Sequence, residues 1–162
     1  MRSIEVEKVV LNIGCGTKTN PDIAKTVLER ITGSKAVIVR SKKRSTFNVP
    51  KNKPIGSKVT IRKGRIAFLE RMLEAKEKKL LQRNFDNQGN FAFGVKEYIE
   101  IPGMEYDPKI GILGMDVCVT LQRKGYSIKR KRISHKISKS HMITKNDAME
   151  FVKKNFNVKI EE

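Results

Sequence analysis

From Met115 to Gln122 every second residue is apolar: Met115, Val117, Val119 and Leu121 alternate with Asp116, Cys118, Thr120 and Gln122. Successive strand side chains point to opposite faces, so this run fits a strand with one face buried and the other wet. A chain containing it has to build a one-sided sheet, with apolar material against one surface and solvent or a partner on the other.

Two more segments carry the same signature. In Ile4 to Ile13, residues Val9, Leu11 and Ile13 line one face while Lys8, Val10 and Asn12 point the other way. In Lys58 to Lys63, Val59 and Ile61 point inward, and Lys58, Thr60 and Arg62 point outward. Further strands are expected over Ala36 to Arg40 and Val95 to Ile101. Asn84 to Gly94 reads as a loop anchored by Phe85, Phe91 and Phe93.

Helical signals fall between the strands. Asn20-Pro21 is an N-cap followed by proline at the first helical position, and Ala24, Val27, Leu28 and Ile31 form a stripe that ends at Gly33. Arg65 to Leu81 predicts the longest helix, buried through Ile66, Leu69, Met72, Leu73 and Leu80, with Glu74 placed to pair with Lys78. Thr144 and Asp147 open a last helix as a capping box, with Ala148, Met149, Phe151, Val152 and Phe156 on its apolar face. Adjacent strands interleaved with single helices predict an α+β fold: one domain over residues 1–162, a largely antiparallel sheet of about five strands, and helices packed on one face.

The charge is segregated. Lys and Arg number 35 against 17 Asp and Glu, a net charge of +18, and the excess sits in two acid-free stretches. Residues 35–65 hold eleven basic side chains, and residues 123–139 hold eight. Outside them the two signs nearly balance. Blocks of one sign repel themselves until a polyanion neutralises them, and a phosphate backbone does so with counterion release and steep salt dependence. Phe47 and Tyr126 lie among these cations, where aromatic rings can stack on unpaired bases.

Other chemistries fit poorly. The run Val9-Val-Leu-Asn-Ile-Gly-Cys-Gly-Thr17 looks like the cofactor loop of an S-adenosylmethionine-dependent methyltransferase. That site needs an acidic residue at the end of the next strand, which here ends in Arg40-Ser41-Lys42-Lys43, and later strands adjoin instead of alternating with helices. Cys15, Cys118, His135 and His141 lack the close spacing of a zinc site, and the two cysteines are expected to be small buried or half-buried thiols. Catalytic motifs, a cofactor and a metal are not expected. No apolar run approaches a membrane span, and Met1-Arg2-Ser3-Ile4-Glu5 lacks a signal peptide's apolar stretch, so a cytoplasmic protein is expected.

Several phrases occur together and in one order: Val-Val-Leu-Asn-Ile-Gly-x-Gly, Thr-Gly-Ser-Lys, Pro-Ile-Gly-Ser-Lys-Val-Thr-Ile-Arg, Gly-Asn-Phe-Ala-Phe-Gly, and Tyr106-Asp-Pro-Lys-Ile-Gly-Ile-Leu-Gly-Met-Asp116. In this combination the chain resembles the large-subunit ribosomal protein five family. Two features depart from the bacterial pattern, the absence of a helical extension before the first strand and of an Arg-Asp-Phe-Arg-Gly stretch before Asn84; the C-terminal half of the basic tract and the helix after it resemble archaeal or eukaryotic members, and the short ends favour the archaeal form. Ser34 departs from the glutamine of many members, which puts a contact there in doubt.

The resemblance implies a non-catalytic constituent of the large ribosomal subunit. Its partners would be 5S rRNA, 23S rRNA, the P-site tRNA, neighbouring large-subunit proteins and a protein of the small-subunit head. The 5S-contacting positions would be Asn12, Gly14, Gly16, Lys58, Thr60 and Arg62. A tRNA-facing loop would carry Lys42, Lys43, Arg44, Phe47, Lys51 and Lys53. Further rRNA contacts are expected from Arg123, Lys124, Lys129, Arg130, Lys131, Arg132 and His135.

Overall fold

The computed structural model describes residues 1–16, 20–44 and 49–161. In chain order the elements are β1 (Ile4–Gly14), α1 (Pro21–Thr32), β2 (Val37–Arg40), β3 (Pro54–Ile61), α2 (Arg65–Ala75), β4 (Lys79–Leu81), β5 (Phe91–Val95), β6 (Met115–Arg123), α3 (Lys145–Phe156) and β7 (Lys159–Glu161). Strand β1 is the axis of a five-stranded sheet ordered β2-β3-β1-β6-β5, in which every pairing is antiparallel. Its Val6, Val9, Leu11 and Ile13 are buried among the inward residues of β3, β5 and β6, and α1, α2 and α3 close the same core. The fold is the expected α+β arrangement with a single antiparallel five-stranded sheet.

The expected caps form. Asn20 Oδ1 accepts from the Asp22 N–H at 3.0 Å, and α1 ends with Gly33 in the left-handed region at φ 62°. Thr144 Oγ1 accepts from the Asp147 N–H at 3.3 Å while the Asp147 carboxylate accepts from the Thr144 N–H at 3.1 Å, closing a reciprocal box at the head of α3. Ser57, fully buried in β3, donates its hydroxyl to the Pro21 carbonyl at 2.7 Å and so fixes where α1 starts over the sheet.

Three elements differ from the sequence reading. Helix α2 stops at Ala75 and does not reach Leu81, because Glu77 and Lys78 take left-handed backbone at φ 54° and 53°. Leu80 is buried instead from β4, which pairs in parallel with β7, a strand the sequence did not announce. Glu77, not Glu74, takes a lysine, bonding Lys79 Nζ at 2.7 Å, and Ile66 stands 55% exposed outside the core. The strand expected over Val95 to Ile101 lies earlier, as β5, and Tyr98–Glu100 is a 3₁₀ turn. Phe91 and Phe93 are therefore inward strand residues of a segment that read as loop. Finally, β3 begins at Pro54, and the connection from β2 continues its hairpin, with Ser41 N–H donating to Lys53 O at 2.8 Å and Asn52 N–H to Ser41 O at 2.9 Å.

At the end of the sheet that carries this connection, Gly14 pairs with Gly56. A Cβ on Gly56 would stand 2.5 Å from the Ile13 carbonyl oxygen, whereas one on Gly14 would meet no atom of the described residues within 4 Å. Replacing Gly56 by alanine is expected to cost about 1 to 3 kcal/mol in urea unfolding through forced displacement of β1. Gly14→Ala should cost well under half of that; equal losses would contradict the close approach.

Candidate nucleic-acid interface

The helices cover one face of the sheet, and the registers assign the side chains of the other. One row across it runs Val37, Lys58, Asn12, Asp116 and Gly94, and the next runs Thr60, Val10, Cys118 and Ala92. Lys58, Thr60, Asp116, Cys118, Ala92 and Gly94 are exposed, and Asn12 and Val10 are half-buried. Gly94, Ala92, Cys118 and Val10 leave the middle of the face without bulky side chains. Arg62, exposed just beyond β3, continues the outward series toward the opposite end from Gly14. Gly14 and Gly16 are exposed beyond Asn12, and Gly16 has φ 55°.

The basic β2–β3 connection and the basic tract 123–139 bracket this face. The connection from β2 to β3 lies at the Gly14 and Gly56 end, where Lys42, Lys43, Arg44 and Lys51 are exposed and Lys53 is half-buried. Phe47 lies outside the described residues. The tract 123–139 leaves β6 at the other end, where Arg123 pairs with Ile4. It folds back against the face: Arg130 donates to Gln122 Oε1 at 2.9 Å and to Glu7 Oε1 at 3.0 Å.

Within the tract the cations divide by task. Lys124, Lys129, Lys131, Arg132 and His135 are exposed. Arg123 is not: its side chain is 10% exposed and its guanidinium bonds the Asp147 carboxylate at 2.9 Å, joining the end of β6 to the capping box of α3. The Tyr126 ring is also engaged, its hydroxyl donating to His141 O and accepting from the Ile143 N–H, both at 3.1 Å. His141 Nε2 donates to the Lys124 carbonyl at 2.9 Å. The tract is thus tied down at several points although it contains little regular structure.

Two features escaped the sequence reading. A groove of about 580 Å³ runs beside the β5 edge between Asn12, Asp116 and Gly94 on one side and Lys76, Lys79 and Arg83 on the other. Its lysines lay in an expected helix, so nothing in the sequence set them against the sheet. The second is a hollow between the tract and the turn at Gln88. Of the two cysteines, Cys15 is buried as expected, whereas Cys118 is exposed on the open face. Partial desolvation by neighbouring groups and, after it, the Asp116 charge raise the Cys118 thiol above its ordinary pKa, which disfavours the nucleophilic thiolate. Among the described residues no group of three or more His, Cys, Asp or Glu could hold a metal, and no helix is long and apolar enough to cross a membrane.

A one-sided sheet with a small-residue face, bracketed by cations, defines a basic α+β scaffold with an open face. Comparison with known proteins narrows this class. Residues 1–47 match ribosomal protein L5, and residues 54–151 match the C-terminus of the same ribosomal family. The large ribosomal subunit protein uL5 of Cenarchaeum symbiosum is 47% identical over 99% of this chain and 97% of its own length. Those of Methanococcoides burtonii and Sulfolobus acidocaldarius are 45% and 43% identical over 99% of this chain, covering 98% and 92% of their own. The chain belongs to the ribosomal protein L5 family, in its archaeal form, and that family is structural and non-enzymatic.

The Asp147 carboxyl is held below the usual aspartate range chiefly by the Thr144 backbone N–H, with the Thr144 hydroxyl and Arg123 adding to it against an opposing effect of burial. A depressed folded-state pKa contributes stability that is present above the unfolded value of about 4 and is lost as pH falls through the folded one. Asp147→Asn should therefore lower stability at neutral pH and flatten the acid limb of the stability curve. Arg123→Ala should cost about 1 to 2 kcal/mol, whereas Lys131→Ala should cost nearly nothing. Urea titrations from pH 3 to 7 check both; equal effects of Arg123 and Lys131 would contradict the division of tasks.

Proposed function

We propose that the chain, a structural constituent of the large ribosomal subunit in the cytoplasm, anchors 5S rRNA on the open face of its sheet and helps attach it to 23S rRNA. What carries the reading is the position of Asn12, Lys58, Thr60 and Arg62, which share that face between the two basic ends. An A-form RNA duplex offers a wide, shallow groove lined by 2′-hydroxyls, and the small side chains of the open face, Gly94, Ala92, Cys118 and Val10, let it come close without bulky groups intervening. The Asn12 amide and Thr60 hydroxyl would then bond ribose or base edges while Lys58 and Arg62 hold phosphates. No described atom lies within 4 Å of a Cβ position on Gly14 or Gly16, which favours close approach of the backbone to RNA.

Lys124, Lys129, Lys131, Arg132 and His135 are assigned to further rRNA phosphates, with Arg123 and Arg130 holding the tract in place. At the other end, Lys42, Lys43, Arg44, Lys51, Lys53 and Phe47 are assigned to the P-site tRNA. Contacts with neighbouring large-subunit proteins and with a small-subunit head protein complete the proposal.

Recovery of the protein from lysate at low salt, with sequencing of co-purified RNA, should enrich 5S rRNA; no RNA enrichment would sink the reading. Asn12→Ala and Thr60→Ala should each weaken 5S binding by about 1 to 2 kcal/mol, the size of a lost polar contact. Removing charge at Lys51 and Lys53 should leave 5S binding nearly intact while perturbing tRNA positioning. A large loss of 5S affinity in that variant would show that the connection had been assigned to the wrong RNA.

A further inference from the structure

The hollow beside the basic tract has an apolar floor and a cationic rim. Its volume of about 590 Å³ falls within the range of small-ligand sites. Ile137 and Met142 supply apolar surface, Lys129, Lys136 and Lys139 stand around them, and Gln88 projects from the neighbouring turn. Among the described residues no acidic one lines it. We infer that this hollow receives a single unpaired nucleobase of an RNA strand whose flanking phosphates are held by the three lysines.

Chemistry selects this occupant. A phosphate alone gains nothing from Ile137 and Met142, and an extended peptide finds none of the named strands among the lining residues to pair with. A nucleobase has an apolar face for the floor and an edge for the Gln88 amide, and its backbone brings negative charge to the rim.

The walls are already fixed. Asp86 Oδ1 accepts from the N–H groups of Gln88 at 2.9 Å and Asn90 at 2.7 Å, which sets the turn. Gly89, at φ 78°, packs so closely on the Ile143 side chain that a Cβ there would collide with it. On the other wall His135 N–H donates to the Ile128 carbonyl at 3.3 Å. Binding would thus require little ordering of the protein. Since the hollow adjoins the Thr120 end of the open face, a duplex laid on the sheet could pass an unpaired nucleotide into it. This extends the RNA-anchoring function proposed above and rests on it.

The test uses a short single-stranded oligoadenylate carrying one 2-aminopurine, a blunt RNA duplex and intact 5S rRNA, each titrated against the full chain. Among the described residues no phenylalanine, tyrosine or tryptophan lines the hollow, so a base leaving the stacked strand for it should brighten. Met142→Ala and Gln88→Ala should each weaken oligoadenylate binding roughly five- to tenfold and abolish the brightening, with duplex affinity unchanged. Met142 is 38% exposed and Gln88 is exposed, so both variants should melt like the parent, which circular dichroism verifies. Absence of brightening, equal weakening toward strand and duplex, or displacement of the oligonucleotide by polyglutamate as readily as by RNA would overturn the inference. A parent chain that binds 5S rRNA while the hollow variants leave the strand unaffected overturns the base site alone. Failure to bind 5S rRNA with the oligoadenylate pattern intact overturns the 5S assignment and supports the base site.

Discussion

Strand β1 is hydrogen-bonded along both edges but buried on one side only. Val6, Val9, Leu11 and Ile13 commit it to the core, and the two-residue period then sends Val10 and Asn12 to the opposite surface. Slipping the register by one residue would bury Asn12 and expose Leu11, so the polar composition of the open face follows from hydrophobic burial on the closed one. Thr60 and Lys58 reach the same surface because Val59 and Ile61 are anchored opposite them. The proposed binding face is the obligatory reverse of the core.

The antiparallel register also distributes the charge. Because β1 pairs its start with the end of β6 and its end with the start of β3, the basic β2–β3 connection and the acid-free tract 123–139 lie at opposite ends of one sheet. Cations concentrated on one loop would attract a polyanion without orienting it. Cations at both ends of an open face favour an elongated one lying along the strands.

Much of this was legible in the sequence because period-2 alternation and capping residues are local signals. The outward placement of Asn12 and Thr60, the Asn20 cap and the Thr144 to Asp147 box all depend on residues close in sequence. What failed depended on partners distant in sequence. The left-handed turn at Glu77 and Lys78 carries no glycine to announce it, and β4 exists only through β7, far along the chain. Strand β5 was hidden by the Asn and Gly residues before it, although Phe91 and Phe93 already alternated. Arg123 read as one more cation because its partner Asp147 lies beyond the tract, and Tyr126 read as a free ring for the same reason.

The engagement of Arg123 and Arg130 changes how the tract's charge is understood. A segment with so many like charges tends to extend by self-repulsion, and ordering it only on binding would oppose affinity. Here Glu7 and Asp147, both outside the acid-free stretch, draw two arginines down, and the Tyr126 hydroxyl bridges the backbone across the segment's end. The remaining cations project from a tract held to the sheet and to α3 by these bonds. Charge alone would attract any polyanion with similar strength, so discrimination has to come from fixed geometry: the open face, the spacing of its ends and the hollow between tract and turn.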